Sequence, residues 1–374
     1  GRLRVVGHRR AAGRLVIMRP ARLELVPYSL RFRELYATAR GQLSDRQLLL
    51  VRIGDESGTA GLGEAAPLAL RGGPGVEKIA RELRESCWPL LEGREIEAGA
   101  IGRTLAACRA RGASLQALAA LDIALHDLAG KLAGKPVWML LGAAEVRPVR
   151  CNATLPAGNP SNLRRLASRW AERGFSTYKL KVGMAGDIQQ VGHVRAAVGA
   201  EAELRVDANA SWRAEEAVQR LRAMVAHRLE IVEQPAPALE DLAEVRRRTG
   251  LRIGADESVV EAADARRAAK LEACEIATVK LAKCGGMLAT LEIAAEIPVY
   301  LSSALDGPVG IAAAAHTAQA IDDAGVAHGL ATSELFAETI ASRGAALNRD
   351  LLSVPEGPGL GIEIDEELLA ARRT

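Results

Sequence analysis

Aromatic side chains are scarce, at 3% of 374 residues, too few for the stacking platforms that hold single-stranded nucleic acids. An excess of one charge is missing as well. Lys and Arg number 49 against 46 Asp and Glu, a formal net charge of +3, and the two signs are interleaved along most of the chain. That balance argues against nucleic acid as a partner. No stretch approaches the ~18 consecutive apolar residues of a membrane span, so no membrane partner is expected. The five cysteines (Cys87, Cys108, Cys151, Cys274 and Cys284) are odd in number, scattered and without a C-x-x-C pair. They read as reduced thiols of a soluble cytoplasmic protein, not as a disulfide framework or a zinc site.

What is present is a large apolar fraction, 49%, arranged in three successive patterns. The first seventeen residues carry five arginines and no acid, and Met18 is followed at once by the strand-like RPARLELVPYSLRF. Residues 1–17 are therefore expected to be a poorly packed extension, with the fold starting at Met18. Residues 21–63 alternate like short strands around the turn DESG, and residues 76–142 switch to helical periodicity, as in SLQALAALDIALHDLAGKLAG. Strands followed by helices, without alternation, predict an α+β domain over residues 18–125.

After Arg147 short β-rich runs recur, each followed by a helical segment: VRCNATL, STYKLKVG, AELRVDAN, LEIVEQP, LRIGADES, EIATVKLAKCGG, PVYLSSALD and AHGLATS. Eight such units are what a closed (β/α)8 barrel requires. An open doubly wound sheet is the competitor, but the glycine-rich first turn it normally carries is missing. The barrel is placed over residues 126–346, with residues 347–374 packing back on the first domain.

In a barrel, reacting groups sit where strands end. Those positions hold Lys179 and Lys181 on the second strand, Asp207 on the third, Glu233 on the fourth, Asp256 on the fifth and Lys280 on the sixth. Strand alternation turns Lys179 and Lys181 to one face. Three carboxylates at one barrel mouth repel each other unless a cation neutralises them. Oxygen donors without His or Cys select Mg²⁺ or Mn²⁺ over zinc. A cation beside Lys179 and Lys181 is expected to depress their pKa values, so that one serves as base near neutral pH. Lysines on both sides of a carboxylate substrate can reach its α-carbon from opposite faces. His126, in the amphipathic run ALHDLAG, is expected to be a helix-face residue and not a ligand, and Cys284 a small packed thiol.

The set KLK, VDAN, VEQP, ADES and VKLAKCGG, in this order and spacing, resembles the enolase superfamily, muconate-lactonizing-enzyme subgroup. GLGEAAPL near Gly61 and ALDIALHDLAGKLAGKPVWMLLGA from Ala120 are also similar to that subgroup. The resemblance implies an α+β capping domain over a modified barrel that has lost one outer helix, a bound Mg²⁺ and an enolate intermediate. Residue by residue, it implies Asp207, Glu233 and Asp256 as Mg²⁺ ligands, Lys181 as acid/base with Lys179 tuning it, and Lys280 on the opposite face. Asn209 and Glu257 are implied as supporting residues.

The strand ends YLSSALDGPVGIAAAAHTA and HGLATSELFAET look like those of o-succinylbenzoate synthases, which implies a dehydration in menaquinone biosynthesis and places Ser302 and Ser303 against the substrate. Dipeptide epimerases of the subgroup carry an Asp-x-Asp pair where this chain reads Ala331-Thr332-Ser333-Glu334. Epimerisation of dipeptides or racemisation of N-acylamino acids is the alternative. The expected partner is a small-molecule carboxylate, and assembly into a homo-oligomer is compatible with the subgroup.

Overall fold

The computed structural model describes residues 16–38, 41–68 and 72–374. The first domain is built on an antiparallel sheet of β1 (Pro20–Thr38), β2 (Gly41–Asp55) and β3 (Ala60–Ala65), in the order β1-β2-β3. The run LLLVRI in β2 is apolar on both faces because both are covered. Leu48 and Leu50 join Tyr28 and Leu30 in the core shared with the barrel, while Leu49, Val51 and Ile53 pack in the cap's own core with α1 (Val76–Glu82), α2 (Ile101–Ala110) and α3 (Leu115–Ala133).

Two residues of the expected N-terminal extension belong to this domain. Ile17–Met18 pairs with Ile96–Glu97, and the Val16 carbonyl accepts from the Ala98 N–H at 2.9 Å. The rest of that extension, residues 1–15, lies outside the described residues.

Helix α3 lies at the junction of the two domains. Residues 116–130 are buried on every side of it, since cap sheet, barrel and C-terminal segment surround the helix. His126 is a residue of this helix, as expected, and is buried and paired with Asp122 at 2.8 Å. The expected boundary after residue 125 falls inside this one helix. Its acids satisfy backbone donors from three directions: Asp127 accepts from Leu62 N–H at 2.7 Å and Leu360 N–H at 2.6 Å, and Asp122 accepts from Leu288 N–H at 3.1 Å. The cap sheet comes so close to α3 that a Cβ on Gly63 would lie 2.1 Å from the Ala120 carbonyl oxygen.

The second domain holds seven parallel strands in sequence order: β4 (Ala153–Leu155), β5 (Thr177–Lys181), β6 (Glu203–Asp207), β7 (Leu229–Glu233), β8 (Ile253–Ala255), β9 (Ile276–Val279) and β10 (Val299–Leu301). The expected eighth strand is reduced to two parallel bridges, Cys151↔His328 and Ser302↔Gly329, which join β10 back to the start of the barrel. A Cβ on Gly329 would meet the Ser302 hydroxyl at 2.6 Å, so glycine permits this closure. A helix follows each of β4 to β10. After the eighth segment the chain makes a short 3-10 turn at Ala331–Leu335 and Phe336 then bridges to Phe32 of the cap. The result is a modified barrel that lacks one outer helix.

The C-terminal segment touches both domains. Leu351–Leu352 pairs with Val149–Arg150, and further on the Arg372 carbonyl accepts from the Ser29 N–H at 2.9 Å. All five cysteines are buried and free, Cys284 among them. No helix among the described residues is long and apolar enough to cross a membrane.

Candidate metal centre and active site

Strand register brings the sequence-selected residues together. Lys181 pairs with Asp207, Asp207 with Glu233, and Glu233 with Gly254 two residues before Asp256. Successive strands thus deliver their functional groups to the same end of the barrel. Asp207, Glu233 and Asp256 are fully buried, and one oxygen from each lies within 4.8 Å of the others. This is the one such metal-competent cluster among the described residues. Three buried hard-oxygen donors at that separation fit a divalent cation of the Mg²⁺ or Mn²⁺ kind.

The lysines interleave with the acids. Lys179 Nζ lies 2.6 Å from Glu233 Oε2 and 3.0 Å from Asp207 Oδ2. Lys181 Nζ lies 2.5 Å from Asp207 Oδ2 and donates to Asn209 Oδ1 at 3.0 Å. Lys280 pairs with Asp256 from the other side of the cluster. Asn209 in turn donates to Glu257 at 3.1 Å, so both supporting residues join the network. Asn209 and Gln234 hold left-handed backbone conformations (φ 48° and 39°) just past their strands. Such strain clusters at sites where surrounding structure dictates the turn.

Charge state follows from this geometry. Burial pushes the Asp207 carboxyl up, but Lys179 and Lys181 outweigh it and hold the group far below its ordinary range. Burial, reinforced by the Asp207 charge, raises Glu233 against the pull of Lys179. Burial alone would lower Lys179, yet Asp207 and Glu233 hold its ammonium well above the ordinary lysine range.

A cavity of about 120 Å³ opens onto these groups beneath the cap. Lys179, Lys181, Lys280 and Asn209 line its barrel side; Ser302 and Ser303 line it from the end of β10; Tyr36, Leu43 and Arg46 close it from the cap. Sequence reasoning missed three contributors. Arg46 clamps cap to barrel through the carbonyls of Pro67 (2.6 Å) and Ala304 (2.8 Å). Lys283, one helical turn past Lys280, bonds Asp256 Oδ1 at 2.9 Å. Tyr300 donates to Glu233 Oε2 at 2.5 Å. Lys283 was visible as the second lysine of VKLAK, whereas Tyr300 in PVYLSS has no signal beyond strand alternation.

Residues 26–142 match the mandelate racemase / muconate lactonizing enzyme N-terminal domain family, and residues 162–368 match the enolase C-terminal domain-like family. The chain belongs to the enolase superfamily. Within it, the L-Ala-D/L-Glu epimerase of Clostridium acetobutylicum is 32% identical over 345 residues, 88% of this chain and 94% of that protein. The o-succinylbenzoate synthase of Thermobifida fusca is 39% identical over 195 residues, which is 50% of this chain and 61% of that protein. The dipeptide epimerase of Enterococcus faecalis V583, solved with Mg and the dipeptide L-Leu-L-Tyr, superposes with a TM-score of 0.87 at 29% identity over 92% of this chain and 100% of that one.

Proposed function

We propose that the protein removes a proton α to the carboxylate of a small-molecule substrate with Mg²⁺ bound at Asp207, Glu233 and Asp256, and that the overall reaction is the syn dehydration that yields o-succinylbenzoate. When bound, the cation supplies a Lewis acid that stabilises negative charge on the substrate carboxylate. Lys181, at the cavity wall between Asp207 and Asn209, takes the α-proton. The same group, now protonated, returns that proton to the departing hydroxide, which leaves as water from the same face. Lys280, fixed by Asp256 across the cluster, stays an ammonium and stabilises the anionic intermediate. Lys179 stays charged between Glu233 and Asp207 and orients both. Ser302 and Ser303 contact the substrate beyond the reacting carbon.

The observation that carries this reading is the cavity lining, which among the described residues includes no acidic side chain. An α-ammonium would be left without a counter-charge there. Thr332 lines the cavity from the segment in which an Asp-x-Asp pair would hold such a group.

Epimerisation or N-acylamino acid racemisation is the second reading. It is supported by the near full-length similarity to an epimerase and by lysines on both flanks of the cluster, which would then exchange protons from opposite faces. The deciding experiment offers the purified protein with Mg²⁺ the cyclohexadiene carboxylate precursor of o-succinylbenzoate and, separately, N-succinylamino acids and dipeptides. Aromatisation monitored by absorbance supports the dehydration, and racemisation without measurable dehydration overturns it.

A further inference from the structure

Arg205 and Tyr300, buried in the barrel interior, form a chain of contacts that ends on Glu233. Arg205 is fully buried and bonds Glu230 at 2.6 Å and the Ala327 carbonyl at 2.7 Å. Its guanidinium sits 5.0 Å from the centre of the Tyr300 ring. That ring is wedged among Ile231, Ile276 and Val326. The hydroxyl at its far end donates to Glu233 Oε2. Packing on one face and a cation on the ring leave the phenol one place to point.

A carboxylate offers about four in-plane acceptor positions on its two oxygens. On Glu233, Lys179 reaches both oxygens, at 2.7 Å and 2.6 Å, while Tyr300 occupies Oε2 alone. The two donors differ in what a cation does to them. Both donors can serve Glu233 at once, but the neutral hydroxyl, unlike the ammonium, meets no charge repulsion from a divalent ion, so the Tyr300 bond is the less perturbed when the cluster is loaded.

We infer that Tyr300 is a positioning residue that keeps Oε2 of Glu233 turned to the barrel interior, restricts Glu233 to one-oxygen coordination, and so selects small octahedral cations over Ca²⁺. Ca²⁺ accepts more ligands and favours two-oxygen carboxylate contacts, while Mg²⁺ and Mn²⁺ take single oxygens in a tight octahedron. Outer partners of metal-binding carboxylates fix ligand orientation, and their loss commonly costs 10- to 100-fold in affinity. This rests on the reading that Asp207, Glu233 and Asp256 hold a cation, and the test separates the two.

The test measures Mn²⁺ binding to EDTA-stripped protein, without substrate, by electron paramagnetic resonance of free Mn²⁺, with Ca²⁺ as competitor. Tyr300→Phe should weaken Mn²⁺ by about 10-fold or more and lower the ratio of Ca²⁺ to Mn²⁺ dissociation constants by at least about threefold. Tyr300→4-aminophenylalanine, which keeps the ring's shape and a donor, should recover part of both effects and supplies the answer if the phenylalanine variant does not fold. Folded variants that bind Mn²⁺ within about twofold of the parent and discriminate against Ca²⁺ equally well would overturn the inference while leaving the metal centre intact. A parent protein that binds no Mn²⁺ would overturn both.

Discussion

Glu64 of the cap accepts a hydrogen bond from the Gly307 backbone N–H at 2.7 Å, so a side chain of one domain caps the helix Pro308–Thr317 of the other. The same carboxylate accepts from Tyr28 at 2.7 Å and from the Val309 and Gly310 N–H groups at 3.3 Å. A carboxylate at a helix N-terminus satisfies orphan donors and meets the positive end of the helix dipole. The loop before this helix carries Ser302 and Ser303, so the contact couples cap placement to the cavity wall.

That contact makes stability depend on pH. Burial, with Asp306 nearby, raises Glu64 from 4.5 to about 7. The folded state then binds more protons at this group than the unfolded chain between those values, so the contribution of Glu64 to stability is greatest below about pH 4.5 and falls as pH rises towards 7. The shift corresponds to roughly 3 kcal/mol at most. Urea midpoints measured from pH 5 to 8 should show this decline, and Glu64→Gln should flatten it. An equally steep decline in the variant would assign the dependence to other groups.

Close approach of the cap sheet to α3 gives a second, opposed pair of outcomes. In Gly63→Ala the new Cβ would meet the Ala120 carbonyl oxygen at 2.1 Å and the Ala124 Cβ at 2.9 Å, both on a helix fixed from three sides. Overpacking there should destabilise by about 2 kcal/mol or more. Gly102→Ala, on α2, meets Leu288 Cδ1 at a relaxed 3.6 Å and should stabilise by up to about 1 kcal/mol through helix propensity. Thermal unfolding of the two variants checks both signs at once.

How much of this was legible in the sequence depends on what each residue had to do. Lys179, Lys181, Asp207, Glu233, Asp256 and Lys280 stood out because charged groups ended apolar runs, and barrel geometry supplies a reason for that position. Tyr300 did not, since an aromatic in PVYLSS is indistinguishable from a core residue until its hydroxyl meets Glu233. The length of the eighth strand was illegible for a similar reason: AHGLATS has the composition of a strand, and two bridges suffice to close the barrel. In helix α3 the polar residues Asp122, His126 and Asp127 sit in an amphipathic pattern that carries no signal of their complete burial. Their partners are one another and backbone donors supplied by distant segments.

Removal of the cation should abolish turnover. Three buried carboxylates paired with lysines cannot stabilise negative charge on a substrate without it. EDTA is expected to eliminate activity, and Mg²⁺ or Mn²⁺ to restore it. Asp207→Asn and Glu233→Gln should lose both metal affinity and turnover, as titrations of activity against Mg²⁺ would show. Full activity in metal-free buffer would remove the role proposed for the cluster.

The two lysine faces separate dehydration from racemisation. Lys181 lies against Asp207 and Asn209, while Lys280 lies against Asp256 on the other flank. If dehydration is the reaction, Lys181 handles the proton twice, and Lys181→Ala should lose at least ~10³-fold in turnover, within the range for a general acid/base. Lys280→Arg keeps the charge, but its planar head is no substitute for an ammonium held on Asp256. It should slow dehydration while leaving Lys181-dependent exchange of the α-proton with deuterium from solvent measurable. If racemisation is the reaction, loss of either lysine stops it, yet the survivor still exchanges the proton on its own face. Deuterium incorporation by each variant, followed on separate enantiomers of an N-succinylamino acid, therefore distinguishes the readings. Exchange by Lys181→Ala on one enantiomer, with rapid racemisation by the parent protein and no dehydration, would establish the two-base reaction in place of the elimination.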